Sequence, residues 1–163
     1  MKILITSLIS CSFISLLIFG SEKHPNFDDS EVLVEIMSQA KEVVTTTNSD
    51  GSSRFLNPTD NSPFLGSCWT YELRENGTMM GLGKVKDGKL YGWVASWYAN
   101  GKKKAEEFFE SGKILSVKKW KPNGSLCEKT KVENGYGETY NYDAESNITT
   151  VIFWDDGVVV GGL

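Results

Sequence analysis

Residues able to do covalent chemistry are sparse in this chain and lie far apart. The 163 residues hold one histidine, His24, and three cysteines, Cys11, Cys68 and Cys127. A serine or cysteine nucleophile needs a base within hydrogen-bond reach. The only imidazole stands in the polar stretch 21–28, outside the segment that reads as folded. A structural zinc site needs four Cys, His or acidic ligands at characteristic spacings, and no such His/Cys cluster occurs. Asp155-Asp156 precedes Gly157, a place where Asp shapes a turn. Gly81-x-Gly83 falls inside a strand pattern rather than between a strand and a helix, so it is no phosphate loop. The chain therefore reads as non-enzymatic, with no cofactor and no metal. His24 is expected to be an unstructured surface residue.

Binding chemistry is better represented. The formal net charge is −4, but it is unevenly spread. Residues 92–133 carry nine basic and five acidic side chains. Residues 21–91 carry seven basic and eleven acidic, and 134–163 carry no basic and five acidic. A basic island between acidic ends suits an anionic partner, although a solvated lysine face has the same composition. The residues expected to form the patch are Tyr98, Lys104, Lys119, Lys121, Lys129 and Lys131. Tyr98 would add a flat amphipathic contact. The partner expected is a protein or an anionic envelope polymer, and not nucleic acid. Trp93, Trp97 and Trp120 suit a sugar- or peptide-stacking surface, and suit a core stripe at least as well.

The elements that must position these residues are set by turn chemistry. Asn-Gly pairs stand at 76–77, 100–101 and 123–124, and each is followed eleven residues later by another turn glycine, Gly88, Gly112 and Gly135. Counting back eleven from Gly157 reaches Ser146, so a fourth unit fits with a degraded first turn. A fixed period of 22 to 24 residues marks a repeat array. Pro122-Asn123-Gly124 suits a type I turn with Gly in a left-handed bulge position, a three-residue loop. The remaining turns, including Lys86-Asp87-Gly88, fit the same frame. That register places Leu73, Trp97, Trp120 and Tyr142 on one face together with Val85, Phe109, Val132 and Trp154. This apolar face is the expected core side, with the lysines opposite. The fold class expected is mainly β, an open antiparallel β-meander of about four hairpin repeats with one N-terminal amphipathic helix.

Strand, N-G, strand, D-G at this spacing resembles the bacterial variant of the MORN repeat. Asn61-Ser62-Pro63-Phe64-Leu65-Gly66 is also similar to the (D/S)-T-P-(F/Y)-T-G lead-in of such proteins. The resemblance covers roughly residues 52–163, with Glu145-Ser146 departing from N-G. It implies repeat architecture and, for many such proteins, the role of an antitoxin that masks a partner toxin.

Upstream, Met1-Lys2 and the apolar run Ile3–Phe19 resemble a secretory signal. Residues 1–20 are read as signal peptide, 21–51 as linker and helix, and 52–163 as the MORN-like repeat domain. Leu8-Ile9-Ser10-Cys11 resembles a lipoprotein cleavage box, and an uncleaved membrane anchor is the remaining reading. Location is expected to be periplasmic or envelope-associated. Leu33, Ile36, Met37, Ala40 and Val43 or Val44 recur at helical spacing, which predicts a helix over about 29–45 with Asp28-x-x-Glu31 as capping box. Cys68 and Cys127 would lie five strand steps apart, about 24 Å at about 4.8 Å per step. A disulfide needs Cα atoms within about 7 Å, so two free thiols are expected.

Overall fold

The computed structural model describes residues 23–48 and 53–163. The leader expected over 1–20 lies outside the described residues. Among the described residues the chain is mainly β, with a single short helix, α1 (Ser30–Gln39). Twelve strands follow: β1 (Lys41–Glu42), β2 (Val44–Thr47), β3 (Ser53–Leu56), β4 (Cys68–Leu73), β5 (Met79–Lys86), β6 (Lys89–Trp97), β7 (Lys103–Glu110), β8 (Lys113–Lys119), β9 (Lys131–Glu133), β10 (Tyr136–Tyr142), β11 (Ile148–Asp155) and β12 (Val158–Gly162). Strands β4 to β12 form an antiparallel meander in chain order, and β1 adds to β4 in parallel to make ten strands. Strands β2 and β3 form a separate two-stranded sheet.

Two kinds of turn alternate along the meander. At the Asn-Gly turns, Arg74 N–H bonds Thr78 O and Tyr98 N–H bonds Lys102 O, leaving three residues in each loop, as the sequence predicts. The asparagine side chains hold these loops: Asn76, Asn100 and Asn123 Oδ1 accept from the backbone N–H two residues on. Ser146 takes the left-handed place of the missing glycine at φ 69°, and Asp143 Oδ1 accepts from Asn147 N–H. The second kind departs from expectation. Asp87, Ser111, Asn134 and Asp156 have positive φ, as do the glycines after them. Two successive left-handed residues make a type I′ turn with a two-residue loop, and the closing pairs are Lys86↔Lys89 and Glu110↔Lys113.

The face assignment also changes. Register slips at Glu72/Leu73, Ser96/Trp97 and Asn141/Tyr142, a β-bulge beside three of the four three-residue turns. A bulge inserts one residue, so alternation beyond it is reversed. The two apolar columns therefore lie on opposite faces. Trp97 packs with Phe27, Ile36, Leu82 and Ala95 on the face covered by α1. Val85 packs with Val43, Phe55, Phe64 and Leu90 on the face covered by β2 and β3. The sheet has two half-covered faces in place of one apolar and one wet face. Burying Leu82 and Val85 to 1% exposure contributes about 1.5–3 kcal/mol each.

The helix is shorter than its apolar spacing suggests. Ala40 is extended at φ −78°, ψ 153°, and the β-branched residues after it enter β2, as branching at Cβ favours. The N-cap is Asp29, one residue later than expected, and its carboxylate accepts from Glu31 and Val32 N–H.

The I′ turns converge. Gly135 N–H bonds Leu115 O, Gly157 N–H bonds Gly135 O, and Ile114 N–H bonds Gly157 O. The last turn thus closes onto β8, beyond its sequence neighbours. Only glycine fits this stack: a Cβ on Gly157 would sit 2.7 Å from Ile114 O, and one on Gly135 2.6 Å from Gly157 N.

Candidate binding surface

At the Asn-Gly end, the third unit breaks the regular hairpin. Trp120 bridges Leu126, Cys127 N–H bonds Lys119 O, and the chain then turns through 128–130 before the three-residue β9. This excursion places a buried thiol among tyrosines. Cys127 is 3% exposed. Its Sγ lies 2.9 Å from Tyr142 Oη and 3.4 Å from Thr130 Oγ1, and it accepts from Thr130 N–H at 3.4 Å. Burial pushes the thiol up, but the bonds from Thr130, Tyr142 and the backbone N–H groups of Thr130 and Lys129 outweigh it and hold it below the ordinary cysteine range. Tyr142 is pushed far above the ordinary phenol range, first by desolvation and then by its bond to Cys127. Cys68 and Cys127 are not joined in a disulfide, as expected. Cys127 is a hydrogen-bonded structural anchor sealed from solvent rather than an accessible nucleophile.

Around this anchor stand three lysine–tyrosine pairs. Lys104 Nζ lies 5.9 Å from the Tyr98 ring centroid, Lys121 5.7 Å from Tyr142, and Lys129 5.8 Å from Tyr140. Each distance is within reach of a cation–π contact. Tyr98 Oη donates to Trp120 O at 2.8 Å, and Tyr140 Oη to Glu138 Oε1 at 2.7 Å. The rings are thus fixed at their hydroxyl ends while the ammonium groups lie over their faces. Trp120, half-buried, has Lys103 and Lys118 each 5.1 Å from its ring.

Four of the six sequence-expected patch residues, Tyr98, Lys104, Lys121 and Lys129, belong to these pairs. The other two do not. Lys119 is 6% exposed and donates to Asn141 Oδ1, so it is no part of a wet patch. Burial depresses its pKa, against the pull of the Glu107 carboxylate. Glu107, on neighbouring β7, is pushed up by desolvation against the pull of Lys119 and Lys104. Lys131 is exposed and makes no such pair: it lies opposite Lys119 on the face of Tyr140, since it pairs with Glu138, whose carboxylate accepts from the Tyr140 hydroxyl.

His24 corrects another expectation. Its Nε2 is 3.2 Å from the Glu106 carboxylate, and its ring stands edge-on to Trp93 at 4.2 Å. Glu106 is 5% exposed and also pairs with Lys103, which reaches Asp28 at 2.7 Å. Desolvation lowers the Lys103 pKa, and its bonds to Asp28 and Glu106 overcome this and leave it raised. The cluster fastens the N-terminal segment to the helix-covered face. It joins residues some eighty positions apart, so no local pattern announces it. Cys127, Thr130 and Tyr142 were missed for a similar reason, because 120–130 leaves the repeat period.

Among the described residues no three His, Cys, Asp or Glu side chains group as metal ligands, and no helix is long and apolar enough to cross a membrane. Comparison with protein families, with curated proteins and with solved structures finds no match.

Proposed function

We propose that the protein is an exported, non-enzymatic binding module, of the bacterial MORN-variant repeat kind, that engages an acidic protein surface or an anionic envelope polymer. The observation that carries this reading is the set of three Lys–Tyr pairs at the Asn-Gly end of the sheet. A lysine over an aromatic face loses part of its rotamer freedom before binding, which reduces the ordering cost of association. The tyrosine faces add flat contact area beside the charge. The leader-like start of the chain supports export.

The test is salt-dependent binding to poly-glutamate and to dextran sulfate, which separate the peptide and polysaccharide forms of one polyanion. Affinity should fall steeply as salt rises, since exposed charges are screened beyond about 8 Å at physiological ionic strength. Replacing Lys104, Lys121 and Lys129 together by Gln should abolish binding, and Lys41→Gln, on edge strand β1, should leave it unchanged. Equal binding by the triple variant at low salt would show that the lysines are only a solvated surface.

A further inference from the structure

Where the I′ turns converge, the sheet curls into a cleft of about 650 Å³ on the hairpin-covered face. That volume lies within the range of small-ligand sites. The curl comes from the glycine stack, which brings Trp154 and Val159 of β11 and β12 round to Leu90, Phe109 and Ile114 of β6 to β8. Asn48 and Ser53 of β2–β3 close one side. The floor is therefore aliphatic and aromatic, and wide enough to hold a chain rather than a single side chain.

Three charged side chains line the cleft, Lys89, Glu107 and Lys113, and they are unequal. Lys113 is already paired with Asp156. Glu107 also lines the cleft, where desolvation disfavours its charged form. Lys89 makes no ion pair with a described residue, and its aliphatic stem lies along Gly112 at the cleft mouth. An apolar floor with one unanswered ammonium at its edge has the complementarity of an amphiphile that ends in an anion.

We propose that this cleft binds a single-chain amphiphile with an acidic headgroup, its chain on Leu90, Phe109, Ile114, Trp154 and Val159 and its headgroup on Lys89. The site is separate from the Lys–Tyr pairs and does not rest on their role.

Calorimetric titration of the full chain with dodecanoate, kept below its micelle concentration, tests this. One saturable site is expected. Lys89→Glu should weaken it by about tenfold or more, the weight of one charge-assisted contact. Val159→Trp, at a residue 57% exposed, fills the cleft without disturbing the core and should abolish binding. Thermal melts of both variants should match the parent. Dodecyltrimethylammonium and dodecanol should bind at least about tenfold more weakly. The proposal is overturned if the cationic or neutral chain binds as tightly, or if Lys89→Glu and Val159→Trp leave dodecanoate unaffected. Absence of saturable binding overturns it too, as does binding only to anionic phospholipid vesicles and not to the monomeric acid.

Discussion

The two ends of the meander are built from similar glycine turns and behave differently. At the Asn-Gly end, loops are three residues long and open. A Cβ on Gly77 or Gly101 would meet nothing within 4 Å. Bulges stand beside three of these turns, and the space between loops is taken by polar and charged side chains such as Lys102, whose Nζ donates to Asn123 O. At the I′ end, loops are two residues long, and those at Gly135 and Gly157 stack backbone to backbone. One end presents side chains, and the other end closes the sheet. The same residue type serves conformation alone at the first end, and conformation plus close approach at the second.

The sharpest way to break this comparison is to put a methyl group at each end. Gly157 and Gly101 have nearly the same φ, 75° and 80°. Left-handed strain alone costs Ala about 1–2 kcal/mol at either site. At Gly157 the methyl also meets Ile114 O and disturbs the hydrogen bond from Ile114 N–H, worth about 1 kcal/mol more. Gly157→Ala should therefore cost about 2–3 kcal/mol in urea unfolding, and Gly101→Ala about 1–2, a difference of about 1 kcal/mol. Equal losses would mean that the stack contributes nothing beyond backbone conformation.

Trp120 sharpens the open end. It is half-buried rather than core, and carries two lysines over its ring. Full burial would put Trp→Ala at about 3–5 kcal/mol. Half that area, with one or two cation–π contacts of about 0.5 kcal/mol each, gives about 2–3 kcal/mol. Lys131→Ala, at an exposed residue, should stay under about 0.5 kcal/mol. A loss at Trp120 indistinguishable from that at Lys131 would sink the packing assigned to it.

Between the ends, Glu107 links charge to stability. Its folded pKa is raised, chiefly by desolvation, so its contribution is full below the ordinary value of 4.5 and is lost as pH rises through the raised value. Glu107→Gln should flatten the decline in stability from mildly acidic to neutral pH. The midpoint of urea unfolding, followed across that range, reads this directly. An unchanged slope in the variant would mean that another group sets the decline.

The positions of the turns, and so the number and order of strands in the meander, were legible because glycine spacing reports where the chain reverses. The faces were not. Asp-Gly and Asn-Gly suit both a two-residue I′ loop and a three-residue loop. What decides between them is whether the residue before Gly enters the left-handed region, as Asp87 and Asn134 do, or stays out and hydrogen-bonds through its side chain, as Asn100 does. The bulges beside the three-residue turns leave no composition signal: Met80, Lys104 and Thr149, the residues skipped there, share no chemistry. Of the binding surface, the basic and aromatic content was visible in Tyr98, Lys104, Lys121 and Lys129. The burial of Lys119 was not, because it depends on Asn141, a neighbour 22 residues on.

The smallest effect tests whether the open end has a fixed interior. Tyr142 belongs to the column with Trp97 and Trp120, yet its hydroxyl reaches Cys127 rather than water. Tyr142→Phe keeps the ring beneath Lys121 and removes only that bond. Stability should fall by about 0.5–1.5 kcal/mol, the net value of one hydrogen bond. The thiol should respond more specifically. Tyr142 is one of the groups that hold Cys127 below the ordinary cysteine range, against the upward push of burial. With it gone, the thiol pKa should rise, seen as an upward shift in the pH midpoint of thiolate absorbance near about 240 nm in a Cys68→Ser background that leaves Cys127 as the thiol observed. The Tyr98 and Lys104 pair, which does not use this bond, should keep its polyanion affinity. If the midpoint stays where it was, Cys127 owes its state to Thr130 and the backbone, and the tyrosine column serves the surface alone.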